Sequence, residues 1–185
     1  MIADIISDAQ DNMELAVEFV KEEFAAIRTG RANPAMFAKI TAEYYGAATP
    51  LQQLASFQVP EARMVLITPY DKASMTAIEK ALRDSDLGVN PSNDGNMIRI
   101  VLPSLTEERR KDYIKLAKHK AEEARISIRN ARRDAKTLLD KMVKDKEVGE
   151  DEVTRAEKQL DNTTKKHTDE VDGVLKGKEA ELLEV

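Results

Sequence analysis

All six prolines of this chain lie between Pro34 and Pro103. Residues 1–33 and 104–185 are therefore free of the one residue that removes a helix hydrogen bond and clashes with the preceding turn. Both flanks carry the spacing of long helices. From roughly Ile2 to Arg28, apolar residues fall at Ile2, Ile6, Ala9, Met13, Ala16, Val17, Val20, Phe24 and Ile27, and steps of three and four place them on one face. This predicts a helix of about 40 Å at ~1.5 Å per residue. Thr29-Gly30 is expected to stop it, because glycine tolerates the left-handed conformation that ends helices, and Asn33-Pro34 to prevent a restart. A second stripe runs from about Thr106 to Val143 through Tyr113, Ala117, Ala121, Ala124, Ile128, Ala131, Ala135, Leu138, Leu139 and Met142. Its alanines allow close approach of a neighbour. After a break at Glu147-Val148-Gly149, a third runs from about Glu150 to Leu183 through Val153, Ala156, Leu160, Thr164, His167, Val171, Val174 and Leu175. No one of the three can bury its stripe alone. Together they can, as a three-helix bundle.

The proline-bearing middle has short β-type runs at Lys39 to Tyr45, Leu54 to Val59, Arg63 to Thr68 and Met97 to Leu102. One helix fits between them, from about Lys72 to Arg83, with Met75, Ile78 and Leu82 on one face. Asp84 to Asn96, rich in Asp, Asn, Gly, Ser and Pro, is expected to form a long turn. The fold class is thus α+β with two domains. Residues 1–30 and 105–185 make an elongated three-helix bundle, and residues 31–104 make a small, β-rich α/β domain inserted between its first and second helices. Two crossings join them, Thr29-Gly30-Arg31 and Pro103-Ser104-Leu105, and their shortness suggests a hinge that bends in limited ways.

Composition narrows the function. The chain has no cysteine, so disulfides and thiolate metal sites are excluded. No stretch of ~18 apolar residues is present to span a bilayer, and Met1-Ile2-Ala3-Asp4 lacks the basic start of a signal peptide. A cytoplasmic protein is expected. The net charge is −5, which is unpromising for a nucleic-acid binder, but its distribution matters more than its sum. From Leu105 to Asp145 there are 13 Lys and Arg against 8 Asp and Glu. A basic stretch sits in an acidic molecule.

At 100° per residue Lys111, Lys118, Arg125, Arg129, Arg132 and Lys136 fall within about 60° of one another, with Arg133 just beside them. A guanidinium forks onto two phosphate oxygens and stacks on bases, so the row suits an RNA backbone. It also suits a solvated face balanced by Glu122, Asp134 and acidic neighbouring helices, and periodicity alone leaves both readings open. Arg28 and Arg31 bracket Gly30; they suit an anion clamp, but Arg28 alone is better explained as a cation at the negative end of the first helix. Catalytic patterns are lacking. There are two histidines: His119 lies beside the basic row, and His167 occupies a core-stripe position. No nucleophile–base order, Gly-rich phosphate loop or His-Glu-x-x-His motif occurs. Asp84-Ser85-Asp86 is better explained as turn chemistry than as a calcium loop, and Glu107-Glu108 after Thr106 as helix capping. The expectation is a protein that is not an enzyme and needs no cofactor or metal. A scaffolding coiled coil that binds partner helices is the competing class, and a small hydrolase in the inserted domain a weaker one.

Several strings add specificity. Arg28-Thr29-Gly30-Arg31-Ala32-Asn33-Pro34, Glu43-Tyr44-Tyr45-Gly46, Thr49-Pro50-Leu51, Asp86-Leu87-Gly88-Val89-Asn90-Pro91, Leu105-Thr106-Glu107-Glu108-Arg109-Arg110-Lys111, Arg129-Asn130-Ala131-Arg132-Arg133-Asp134 and Lys144-Asp145-Lys146-Glu147 resemble those of bacterial ribosome recycling factors, and the likeness runs the length of the chain. The resemblance implies a three-helix bundle and an α/β domain joined by a two-stranded hinge, with a tRNA-like outline. It implies a monomer that binds the large ribosomal subunit through rRNA after termination. Elongation factor G and GTP hydrolysis then drive subunit separation, with neither membrane nor small-molecule substrate involved. Carried over by matching motif, the rRNA-binding residues are Arg28, Arg31, Arg110, Arg129, Arg132 and Arg133. The hinge maps to Gly30, Arg31, Pro103, Ser104, Leu105 and Thr106. One departure is Ser104, where the family often has a second proline.

Overall fold

Three proline-free amphipathic segments become three long helices in the structure, a computed structural model that describes residues 1–184: α1 (Ile2–Ala25), α4 (Glu107–Lys144) and α5 (Glu150–Leu183). The chain divides into two compact units. One comprises Met1–Phe24 and Ile114–Ala180; the other comprises Ala25–Tyr113 and the short piece from Glu181.

The first unit is a helical bundle of α1, α4 and α5, as the periodicity predicts. Ile6, Met13, Val17, Val20 and Phe24 of α1 are buried, as are Ala117, Ala121, Ile128 and Leu139 of α4 and Val153, Leu160 and Val171 of α5. Small residues on α4 let backbones approach while larger ones on α1 fill the gap. Thr164 of α5 packs its hydroxyl 3.9 Å from the Met13 sulfur. His167 is buried in this core, its Nδ1 2.7 Å from the Thr163 carbonyl, a core histidine as its stripe position suggested. Lys120 of α4 reaches the buried Glu23 carboxylate of α1. Lys21 pairs with Glu170 of α5 at 2.9 Å, and this ammonium holds the Glu170 carboxyl below its ordinary value.

One helix end differs from expectation. α1 ends at Ala25, not at Thr29-Gly30, and Gly30 is not among the left-handed glycines. Beyond the helix Ile27 and Arg28 are buried, and Arg28 bonds to carbonyls of the second unit, so tertiary burial overrides local propensity. α4 ends through Lys146, whose φ is 60°. The Glu147 amide donates to the Met142 carbonyl and the Lys146 amide to that of Val143, the paired bonds that close a helix on a left-handed residue. Thr106 caps the start of α4 by accepting from the Arg109 amide at 3.2 Å, as expected.

The second unit is β-rich. Its strands are β1 (Thr41–Tyr44), β2 (Ala47–Pro50), β3 (Ala55–Glu61), β4 (Met64–Pro69), β5 (Ser92–Asn93) and β6 (Ile98–Val101). β1 and β2 form a hairpin, and the other four form an antiparallel sheet in the order β3-β4-β6-β5. Alternation explains the buried face: Val65, Ile67, Ile98 and Ile100 point inward while Arg99 and Val101 stay exposed. The β3–β4 register slips between Gln58 and Glu61, around Pro60, which has no amide to donate. The helices are α2 (Leu51–Leu54) and α3 (Met75–Arg83), with single 3₁₀ turns at Pro34–Phe37 and Lys72–Ser74. Met75, Ile78 and Leu82 of α3 complete a core with Phe37, Leu51 and Leu102. The four predicted β runs and the one predicted helix are present. β2, β5 and the short helices are additional, β5 being two residues within the expected long turn. No helix among the described residues is long and apolar enough to cross a membrane.

Candidate nucleic-acid interface

The basic row of α4 is regular, as its spacing requires, but it does not stand free. Lys118 reaches Glu179 at 3.7 Å, Arg125 reaches Asp172 at 2.7 Å, Arg132 reaches Asp161 at 2.6 Å and Lys136 reaches Glu157 at 3.3 Å. All four carboxylates lie on α5. Along α4 itself, Arg129 pairs with Glu122 at 2.6 Å and Lys111 with Glu107 at 2.8 Å. The row is a ladder of ion pairs between antiparallel helices, which is the balanced face that periodicity left open. Its signal was in the sequence: Lys118, Arg125 and Arg132 recur every seven residues, and Asp172 and Glu179 are also seven apart. That spacing is how flanking charges meet across coiled-coil seams.

Pairing does not remove these cations from reach. Exposed ion pairs contribute only ~0–1 kcal/mol, so a phosphate that offers a forked acceptor can displace an exposed carboxylate. Arg129 is 56% exposed, Arg132 39% and Arg133 73%, and Arg133 lies 3.9 Å from Asp134. Arg125 is only 20% exposed and held by two acids, Asp172 and Glu122. Among the arginines here, the available ones are therefore Arg129, Arg132 and Arg133. Glu122 is held below the ordinary carboxylate range by Arg129 first and Arg125 second.

The other three arginines of the expected rRNA-binding set belong to the second unit. Arg28 is buried; one terminal nitrogen donates to the Leu87 carbonyl at 2.9 Å and the other to the Pro103 carbonyl. Its Nε has no hydrogen-bond partner among the described residues, and burial pulls its guanidinium below the ordinary value. Since α1 ends three residues earlier, Arg28 does not serve that helix's negative end, which corrects the dipole explanation. Gly88, at φ 64°, leaves space beside the same guanidinium. Arg31 is open, 3.9 Å from Glu184. Arg110 donates to the Leu105 carbonyl at 3.4 Å, and its Nε is buried without a hydrogen-bond partner among the described residues. Arg31, Arg63 and Arg110 line a cavity of about 910 Å³ with Thr29, Ser104 and Leu105.

Gly30, Arg31, Pro103, Ser104, Leu105 and Thr106 lie outside helices and strands. Three of the four residues from Pro103 to Thr106 are held by a neighbouring arginine: Pro103 by Arg28, Ser104 by a hydrogen bond from Arg63, and Leu105 by Arg110. Among the described residues, no group of His, Asp and Glu is arranged to hold a metal ion.

Comparison with known proteins agrees with this architecture. The family model described as "Ribosome recycling factor" matches residues 20–183. Ribosome-recycling factors of Kineococcus radiotolerans and Cutibacterium acnes are 69% and 64% identical, with full coverage of both chains. A solution structure of a ribosome recycling factor superposes with a TM-score of 0.79 at 40% identity, covering 100% of this chain and 98% of that one. A second similar structure, with a TM-score of 0.70, 40% identity and full coverage of both chains, comes from models of the T. thermophilus ribosome recycling factor and the E. coli elongation factor G bound to the E. coli post-termination complex.

Proposed function

Because the chain belongs to the ribosome recycling factor family, we propose that it binds the post-termination ribosome and, with elongation factor G and GTP hydrolysis, promotes its separation into subunits that reinitiate translation. The observation that carries the binding step is the cluster of Arg129, Arg132 and Arg133 on α4, each on the surface of a rigid helix with exposed, exchangeable partners. RNA binding is then an exchange. A backbone phosphate takes the guanidinium, the released Asp161 or Glu122 rehydrates at little cost, and condensed counterions leave the RNA. Because the bundle is preformed, little ordering entropy opposes the contact.

Within this reading Arg31 and Arg110 contact rRNA from the second unit, whereas Arg28 braces Leu87 and Pro103 from inside the fold. The segments around Gly30-Arg31 and Pro103-Ser104-Leu105-Thr106 act as the joint, the ligand is large-subunit rRNA, and the chain works as a cytoplasmic monomer. It is not an enzyme: the free energy of splitting comes from the partner's GTP hydrolysis. The test is sucrose-gradient sedimentation of post-termination ribosomes with this protein, elongation factor G and GTP, omitting each in turn. Free subunits are expected only when all three are present, and intact ribosomes in the complete mixture would overturn the reading.

A further inference from the structure

Arg63 and Arg110 line the cavity described above together with Arg31. Arg63 donates to the Ser104 hydroxyl and Arg110 to the Leu105 carbonyl at 3.4 Å, so two guanidiniums are fixed on consecutive residues. Both are held by neutral oxygens, which leave the positive charge in place. Arg110 has a further donor: its Nε is buried with no hydrogen-bond partner among the described residues. A buried charged donor without a partner is costly, and an acceptor entering beside it relieves that cost.

Every charge around the cavity bears on what it accepts. Arg31 stands 3.9 Å from Glu184, with side chains 79% and 64% exposed, a pair that solvent screens. Glu181 is the other acid of the lining. Glu107, close enough to feel Arg110, is taken by Lys111 at 2.8 Å. Three arginines and two carboxylates leave an excess of one positive charge in the lining, which suits a ligand with one anionic group. The rest of the wall is largely apolar, with Pro34, Val59, Ala62 and Leu105 contributing. A volume of about 910 Å³ lies within the ~300–1,000 Å³ of small-molecule sites, which combine apolar walls with a few fixed polar groups.

We propose that this cavity binds a small amphipathic anion, one carboxylate or sulfonate carried on an apolar ring system. The anionic oxygens take the guanidiniums of Arg63 and Arg110, and the ring lies against Val59, Ala62 and Leu105. Residues 29–31 and 104–105 both contribute to the lining. Where these act as the joint proposed above, an occupant bridges them; binding itself does not depend on that reading.

The test uses the full-length protein and two fluorescent probes that differ in charge, 8-anilinonaphthalene-1-sulfonate and the uncharged N-phenyl-1-naphthylamine. The sulfonate is expected to bind saturably and about 10-fold more tightly than the neutral probe. Its amide NMR shifts are expected around the lining, at residues 29–34, 59–63, 104–110 and 181–184. Arg63→Gln is expected to weaken the sulfonate about 10-fold and to leave the neutral probe unchanged. Glu184→Gln removes a carboxylate that pairs with Arg31 and is expected to tighten the sulfonate about 3-fold, a gain that a merely structural role does not produce. Equal affinity for the two probes, or wild-type affinity of Arg63→Gln for the sulfonate, overturns the anion site. Shifts centred on the exposed Leu15 and Phe19 of α1 overturn its location. Should Arg63→Gln lower thermal melting, Glu184→Gln decides: unchanged or weaker binding of the sulfonate overturns the proposal. None of these outcomes touches the function proposed above, which the splitting experiment tests separately.

Discussion

Arg28 shows how a residue's identity can mislead about its task. As an arginine near a glycine it suits an anion clamp, yet its guanidinium is inside the second unit, bonded to the carbonyls of Leu87 and Pro103. Removing it leaves two acceptors and a cavity. Arg28→Ala is expected to lower unfolding free energy by roughly 1–3 kcal/mol, read as a lower urea midpoint. Arg28→Lys is expected to be only partly tolerated, because an ammonium on a single stem does not fork between two carbonyls. An unchanged midpoint for Arg28→Ala would contradict the bracing role. Arg132 is expected to behave oppositely. Arg132→Ala leaves the melting temperature nearly unchanged and costs ~1–3 kcal/mol of large-subunit binding, with a salt slope shallower by about one. Its partner gives the sharper test: Asp161 pairs with the Arg132 guanidinium, and on the proposed reading a phosphate must displace it. Asp161→Asn is expected to tighten binding by up to about 5-fold, the equivalent of an exposed pair worth at most ~1 kcal/mol. Weaker binding would mean that Asp161 orients Arg132 instead of competing with it.

Between helices, the ion-pair ladder has a consequence for pH. Glu122 is held below its ordinary value by Arg129 and Arg125, and Glu170 by Lys21. A carboxyl whose value is depressed in the folded state adds stability above its unfolded value, and that contribution is lost as pH falls through the folded value. Glutamate's ordinary value is 4.5, so melting temperature is expected to be flat near neutrality and to fall as pH drops below about 4.5. Glu122→Gln should make that fall shallower. An equal or steeper fall in this variant would show that the pair does not contribute to folding. Salt is expected to weaken the exposed rungs more than the Lys120–Glu23 pair, whose carboxylate is buried.

Across the whole molecule, the proposed joint is a pair of short segments rather than a linker. Its role is tested with the chain's own advantage, the absence of any cysteine: two introduced cysteines have no native competitor. A disulfide joining the segments around Gly30 and Ser104 is expected to leave ribosome binding intact and to slow splitting by elongation factor G, with reductant restoring the rate. Splitting at the normal rate while oxidised would remove the joint from the mechanism.

The long helices were legible in the sequence because burial along a helix is periodic. The stripes of α1, α4 and α5 and the start and end of α5 follow from spacing alone. The β-rich insertion was legible from proline placement and β-branched runs, and family strings such as Arg129-Asn130-Ala131-Arg132-Arg133-Asp134 pointed to the family. Three features were decided by tertiary structure. α1 stops at Ala25 and Arg28 is held by carbonyls of the second unit; four cations of the basic row are paired because α5 lays its carboxylates against them; and Tyr45 faces water at the turn of its hairpin. Local sequence specifies which residues share a face, through the repeat of the backbone. What that face meets depends on segments far away in the chain, and a short-range pattern carries no record of them.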